Sequence, residues 1–320
     1  MLVADESEAQ LDLGARAGLL QVLIRVAGTQ EVEDSSIVAS ALRNPSAYYS
    51  QYSYASTDKL LIYDGVSVPA RLLRLHFDPS ALSRLLRSAV FPVWGSNRPS
   101  VLVWFAVSDS QGRRILSESE SGNFNKYLSD QADLRGLPLL FPLLDLQDSY
   151  AVSTAEVWGA FLSRIEAASK RYRPDAILTG RLYMDSPDRW VASWSYFIED
   201  RWYTYDEVAF TSREILQRMI DDLANKLASQ YALDSSRGAV RLRVDEVGSL
   251  RDYAELSVYL ESLTPVTNSF LLSLKNGRAK FRLDIEGKSE QLIETIKLDE
   301  KLMLVKPLGE EKELHYLWLR

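Results

Sequence analysis

Cysteine is absent from the 320-residue chain. That excludes disulfides, thiolate nucleophiles, cysteine-based zinc sites and lipid attachment through a thiol. Histidine is nearly absent, with only His76 and His315, so a metal site built on several imidazoles is excluded as well. No apolar run approaches the length of a membrane-spanning helix. The sequence contains no GxGxxG, GxxxxGK[ST], GxSxG or HExxH, and so lacks the common signatures of dinucleotide, phosphate, serine-hydrolase and zinc-protease chemistry. No cofactor is expected. A basic surplus is missing too. Lys and Arg number 37 against 44 Asp and Glu, a net charge of −7, which argues against a general nucleic-acid binder.

What remains is the composition of a folded protein, 46% apolar and 25% charged. The length predicts two or three domains rather than one core. The stretch that organises the rest is Phe91–Leu146. It begins in a stiff turn, PVWGSNRP, where Pro92 and Pro99 fix φ and Gly95 allows a conformation that a side chain would block. The apolar run SVLVWFAVS that follows reads as a strand covered on both faces. Strands of that kind lie in the middle of an α/β layer.

Ahead of it, Leu11, Ala15, Leu19, Val22, Leu23 and Val26 form one helical stripe, with Asp5 or Ser7 as cap and Gly28 as stop. A first strand before residue 7 is expected to be cut short. Asp64-Gly65 joins two strands as a hairpin, and Asp78-Pro79 opens a helix. Beyond Arg98, helices and strands alternate, and strands then run antiparallel through 176–210. The last helix of this part carries Ile215, Met219, Ile220, Leu223 and Leu227. After a polar linker, residues 239–319 read strand, helix, strand, strand, helix and closing strands, the order of a split ferredoxin-like unit. The expected fold class is α+β or α/β in three small units: an N-terminal α+β domain over 1–92, a central α/β domain with a mixed sheet over 93–235, and a C-terminal ferredoxin-like βαββαβ domain over 236–320.

Candidate chemistry is sparse. His76 and His315 read as structural or surface residues. Asp145 and Asp148 are either an acid pair or the end of a strand and the cap of the next segment. Asp175 and Arg181 flank a covered strand. Trp94, Asn97 and Arg98 at the entry turn would suit a carboxylate, a glycan or a peptide, or else the Trp packs inward and the Asn bonds its own backbone. Trp190, Trp194, Trp202 and Tyr203, with Tyr196 and Tyr205, lie on alternating strands. They form either an exposed partner surface or a strip covered by the last helix.

Six blocks carry a family resemblance: LGARAGLLQVLIRVAG, YYSQYSY, LRLHFDPSALSRLLR, PVWGSNRPSVLVWFAV, RGLPLLFPLLDLQD and RYRPDAILTGRLY. Through them the chain resembles, over roughly residues 8–235, the domain of unknown function 2066 (DUF 2066) family of gamma-proteobacteria. The layout is also similar, more loosely, to the flagellar outer-ring protein FlgT and the amino-terminal domain of TolB. The resemblance implies export to the periplasm, although the opening MLVADESEAQ lacks an export signal. A signal removed ahead of Met1 is the expectation, with a cytoplasmic location as the alternative. The family has no established activity, so the resemblance implies no catalytic residues. The expected function is a non-catalytic envelope binding or assembly protein whose partner is another envelope protein, with no nucleic acid and no membrane span. The alternative is a carboxylate-dependent hydrolase or binding protein acting on envelope glycan or peptidoglycan. The sequence leaves the oligomeric state open.

Overall fold

A computed structural model describes residues 1–95, 97–118, 123–231, 237–306 and 313–319. It contains α-helices and three mixed or antiparallel sheets, an α+β fold of several small units. The chain groups into two compact units, one made of Met1–Ser96 with Ala228–Arg320, the other of Asn97–Leu227.

The first unit opens with β1 (Leu2–Val3), α1 (Glu8–Ala27), α2 (Ser36–Leu42), β2 (Tyr49–Tyr63), β3 (Val66–Phe77) and α3 (Pro79–Ser88). Ser7 caps α1 by accepting from the Gln10 amide, and Gly28 ends it in the left-handed conformation. Two glycines let α1 lie close on the sheet: a Cβ on Gly14 would sit 2.7 Å from a Leu73 methyl. Leu19, Leu23, Val38, Leu82 and Leu86 form the core beneath. The sheet order is β1-β3-β2, all antiparallel. The strand that precedes residue 7 is β1, antiparallel to β3.

The second unit holds β4 (Val101–Asp109), β5 (Gly112–Ile115), α4 (Asn123–Arg135), β6 (Leu139–Leu140), α5 (Leu146–Ala151), α6 (Thr154–Trp158), α7 (Leu162–Ser169), β7 (Ala176–Ser186), β8 (Arg189–Ile198), β9 (Arg201–Ala209) and all but the last turn of α8 (Ser212–Tyr231). The sheet runs β5-β4-β7-β8-β9, with β6 beside the start of β4. β4 is parallel to β7 and β6, and the other pairs are antiparallel. The expected covered strand is β4, whose residues 101–107 are all fully buried. Trp104, Leu102 and Ala106 pack on Val157 and Ile165 of the helices across one face. The helical stretch from Thr154 to Ser169 breaks in two. Ser153 and Glu156 close a capping box at its start, and Ala160 takes a positive φ of 54° behind Gly159.

The first unit is completed by β10 (Arg237–Asp245), α9 (Leu250–Ser262), β11 (Val266–Lys275), β12 (Arg278–Glu286), α10 (Ser289–Leu298), β13 (Leu302–Lys306) and β14 (Glu313–Trp318). The sheet order is β11-β12-β10-β14-β13, with β10 and β14 parallel. The ferredoxin-like plan is thus extended. The last strand takes a place beside β10, and β13 moves to the edge. Burial explains the choice, because β14 buries Leu314, Tyr316 and Trp318 on one face while β13 leaves Met303, Leu304 and Val305 exposed. Arg87 of α3 bonds to the buried Glu286 of β12. A Cβ on Gly95 would overlap the Thr264 side chain, at 2.1 Å. Gly95 is required for that close approach.

Candidate interaction surface

The aromatic meander divides between two faces because side chains alternate along a strand. Trp190, Trp194 and Tyr196 of β8 share a face with Tyr203 and Tyr205 of β9. Helices cover this face. Lys226 of α8 lies 4.6 Å from the Tyr203 ring centre, and Phe124 of α4 stands edge-on to Trp190 at 5.9 Å. Buried Arg135 of α4 ties the two helices together through Asp221 and through Asn225 at 2.7 Å. Burial pushes the Tyr196 hydroxyl well up from its ordinary value, and it bonds the Tyr205 hydroxyl at 2.7 Å. Trp202 points to the opposite face and packs on Phe197.

The candidate surface residues therefore separate. Trp194 is 2% exposed and belongs to the core. Trp94 is equally buried, its amide donating to the Val26 carbonyl and its ring lying against Gly28. Neither indole can meet a partner, and both leave the candidate surface for that reason. Trp94 falls in the first unit, whereas Asn97 and Arg98 fall in the second. Both of the latter are half-buried, and Arg98 donates to the Arg135 carbonyl at 3.1 Å. Trp190, Trp202 and Tyr203 are half-buried.

The acids are tied as well. Asp175 accepts from the Ser100 amide and hydroxyl, both at 2.7 Å, and clips β7 to β4. Arg181 donates to the Trp158 carbonyl. His76 is exposed on β3, and His315 sits 3.0 Å from Asp245, a carboxylate also held by Arg243 and Arg278. Among the described residues, no group of three or more His, Asp or Glu is placed to hold a metal.

Asp145 and Asp148 form the most connected of these clusters. Asp145 caps α5 by accepting from the Asp148 amide at 2.9 Å. Arg171 reaches both acids: Nη1 donates to Asp145 and Asp148 at 2.8 Å each, and Nη2 donates to Asp145 at 2.9 Å. Asp148 is fully buried, and its second oxygen accepts from the Leu144 amide and the Tyr172 hydroxyl. Tyr172 in turn accepts from the Leu143 amide at 2.9 Å. The bond from Arg171 holds the Asp145 carboxyl down at about 2. Burial, then the bond to Asp148, pushes the Tyr172 hydroxyl up to about 12. A general acid needs a proton to give near working pH. Asp145 has none, and both oxygens of buried Asp148 are already bonded. The pair is a structural clamp.

What the clamp holds is the feature that sequence reasoning missed. It fixes the backbone from Leu143 to α5, including Leu144 at a positive φ of 52°, a conformation costly for a branched side chain. In that conformation Pro142 is buried, while Leu143, Leu146 and Tyr150 are 65%, 78% and 85% exposed. Leu146 and Tyr150, four apart on α5, share one side of the helix. Leu143 also lines a cavity of about 420 Å³, with Leu140, Phe141, Tyr172, Lys126 and Glu118 among its other walls. A polar clamp below thus carries an apolar platform above. The available signal was the density of leucine in LPLLFPLLDL, more than a two-residue strand can bury.

A family model described as a domain of unknown function, DUF8605, matches residues 1–95. No curated protein matches the chain. No helix among the described residues is long and apolar enough to cross a membrane. Residues 1–95 therefore carry a domain of unknown function.

Proposed function

We propose that this chain is a non-catalytic binding or assembly protein of the bacterial envelope, periplasmic in location. It recruits another envelope protein through the platform of Leu143, Leu146 and Tyr150. The observation that supports this reading is the clamp. A buried carboxylate bonded on both oxygens holds three large apolar side chains in water. Holding them there has a continuous hydrophobic cost, roughly 1.5–3 kcal/mol for each aliphatic side chain left out of a core, and a partner that covers them recovers it. A rigid loop also loses little freedom on binding, which favours affinity. The adjacent cavity suits one further apolar side chain of the partner, with Lys126 and Glu118 at its rim fixing orientation. The block resemblance to the DUF 2066 family supports the envelope location.

The test is site-specific photo-cross-linking in cells. A photoreactive residue replaces Leu146, and in a control it replaces Asp206, an exposed residue of the same unit. The expected result is one discrete adduct with an exported protein at position 146 and none at 206. No adduct at 146, or the same adducts at both sites, would sink the proposal. Cell fractionation of the tagged full-length protein checks the compartment.

A further inference from the structure

The hairpin of β2 and β3 continues well past the sheet that supports it. β1 reaches only Leu72 and Arg71 of β3. Just beyond, the register jumps from Ser56–Arg71 to Leu60–Pro69, so Thr57–Lys59 bulge opposite Ala70 alone. The remainder, Leu60–Pro69, is a two-stranded arm closed by Asp64 and Gly65, both at positive φ. Such a ribbon is marginal alone in water. Yet this one is apolar on both faces, with Leu60, Ile62, Tyr63 and Val66 exposed by 66%, 79%, 42% and 61%. Charged residues are few, Asp58 and Lys59 in the bulge and Asp64 at the apex.

A matching surface lies on the same chain. β11 is an edge strand, and it exposes Phe270, Leu271, Leu272 and Leu274. A bulge between Leu271 and Ser273 interrupts its ladder, so this edge offers side chains more than backbone. Exposed Lys275 closes the apolar row, whereas its register partner Arg278 bonds Asp245 and Arg282, opposite Phe270, bonds Asp284. The arm has an acidic apex, and the row has a basic end. The apex also argues against a bilayer as the occupant, since insertion would drive the Asp64 carboxylate first into hydrocarbon.

We infer that the arm of one molecule docks on the β11 edge of a second copy of this chain. Leu60 and Ile62 pack on Phe270 and Leu272, and Asp64 meets Lys275. Two such contacts related by a two-fold axis close a dimer without leaving a free arm or a free row. The inference rests on the first unit and is independent of the platform on the second.

The absence of cysteine makes the test clean. Protein carrying Ile62→Cys is mixed with protein carrying Leu272→Cys under mild oxidation, with Ile62→Cys plus Val208→Cys as control, Val208 being exposed on the other unit. The expected result is a disulfide-linked dimer from the first mixture and its loss in the control. Sedimentation of the unchanged protein is expected to give a concentration-dependent mass of two chains. That mass is lost in Ile62→Lys and in Leu272→Lys, with thermal midpoints unchanged because both sites are on the surface. Asp64→Lys is expected to weaken the dimer, and Lys275→Glu to restore it. A monomer at every concentration would overturn the inference. So would a dimer that survives both lysine variants, or a monomer that sediments with anionic lipid vesicles through Ile62.

Discussion

Two apolar strand segments meet opposite fates in this molecule. In β4, SVLVWFAVS supplies seven consecutive fully buried residues. In β2, KLLIY supplies only exposed or half-buried ones. The residue types are nearly the same, and the neighbours differ. β4 has β7 on one side and β5 and β6 on the other, with α6 and α7 packed across one face. The end of β2 has β3 alone, and no helix of the described residues packs on it. Burial is set by what the rest of the chain brings alongside, and an apolar run left without neighbours marks a place for a partner. The platform on α5 makes the same point by another route, because there a buried polar clamp keeps the apolar groups outside.

The contrast can be broken most severely in the core. Trp104→Ala removes an indole that bonds Ser169 at 3.0 Å and packs edge-on to Tyr172. The expected loss is about 3–5 kcal/mol in chemical denaturation, enough to unfold a marginal domain. Asp148→Ala comes next. It removes the acceptor of the half-buried Leu144 amide and Tyr172 hydroxyl, at about 1 kcal/mol for each hydrogen bond lost. Asp148→Asn, which keeps the shape, is expected to lose less.

Extremes of pH loosen the clamp without mutation. The Asp145 carboxyl ionises more readily in the folded state, so its contribution is present above about pH 4. It is lost as the pH falls toward about 2. Asp245, bonded by Arg243, Arg278 and His315, is shifted in the same direction and adds to the acid limb. Tyr172 shows the opposite case. Its folded value is raised, so its contribution is complete below about pH 10 and is lost as the pH rises through about 12. Stability measured against pH is expected to fall at both limbs, and Asp145→Asn is expected to flatten only the acid one. Smallest of all is Ile62→Ser on the arm. Monomer stability is expected to change by no more than about 0.5 kcal/mol, a sharp contrast with Trp104.

Much of the fold was legible because local signals agreed with the final packing. Ser7 and Gly28 bound α1, Asp64-Gly65 turns the hairpin, Asp78-Pro79 starts α3, and the valines of β4 announce a covered strand. The place of β14 was not legible, since strand order depends on which edge a buried face reaches. Gly159-Ala160 breaks a helix whose apolar spacing runs on unbroken, and only the backbone reveals it. The residues of the proposed platform were the least legible. Trp94 and Trp194 are attractive by type, but they lie under α1 and α8-side packing that periodicity alone does not rank. Leu146 and Tyr150 sit on a six-residue helix just past what reads as an ordinary strand end. Their exposure depends on Arg171, 25 residues after Leu146 in the chain.

The most direct measurement pairs stability with partner capture for one variant, Leu146→Asp with Tyr150→Ala. Unfolding free energy is measured on the pure protein, and formation of the proposed cross-link adduct is measured in cells carrying the same variant. The account predicts unchanged stability and lost capture. Stability falling by several kcal/mol would mean that these side chains belong to a core, and capture persisting at full strength would mean that the platform is not the docking surface. Either result contradicts the account.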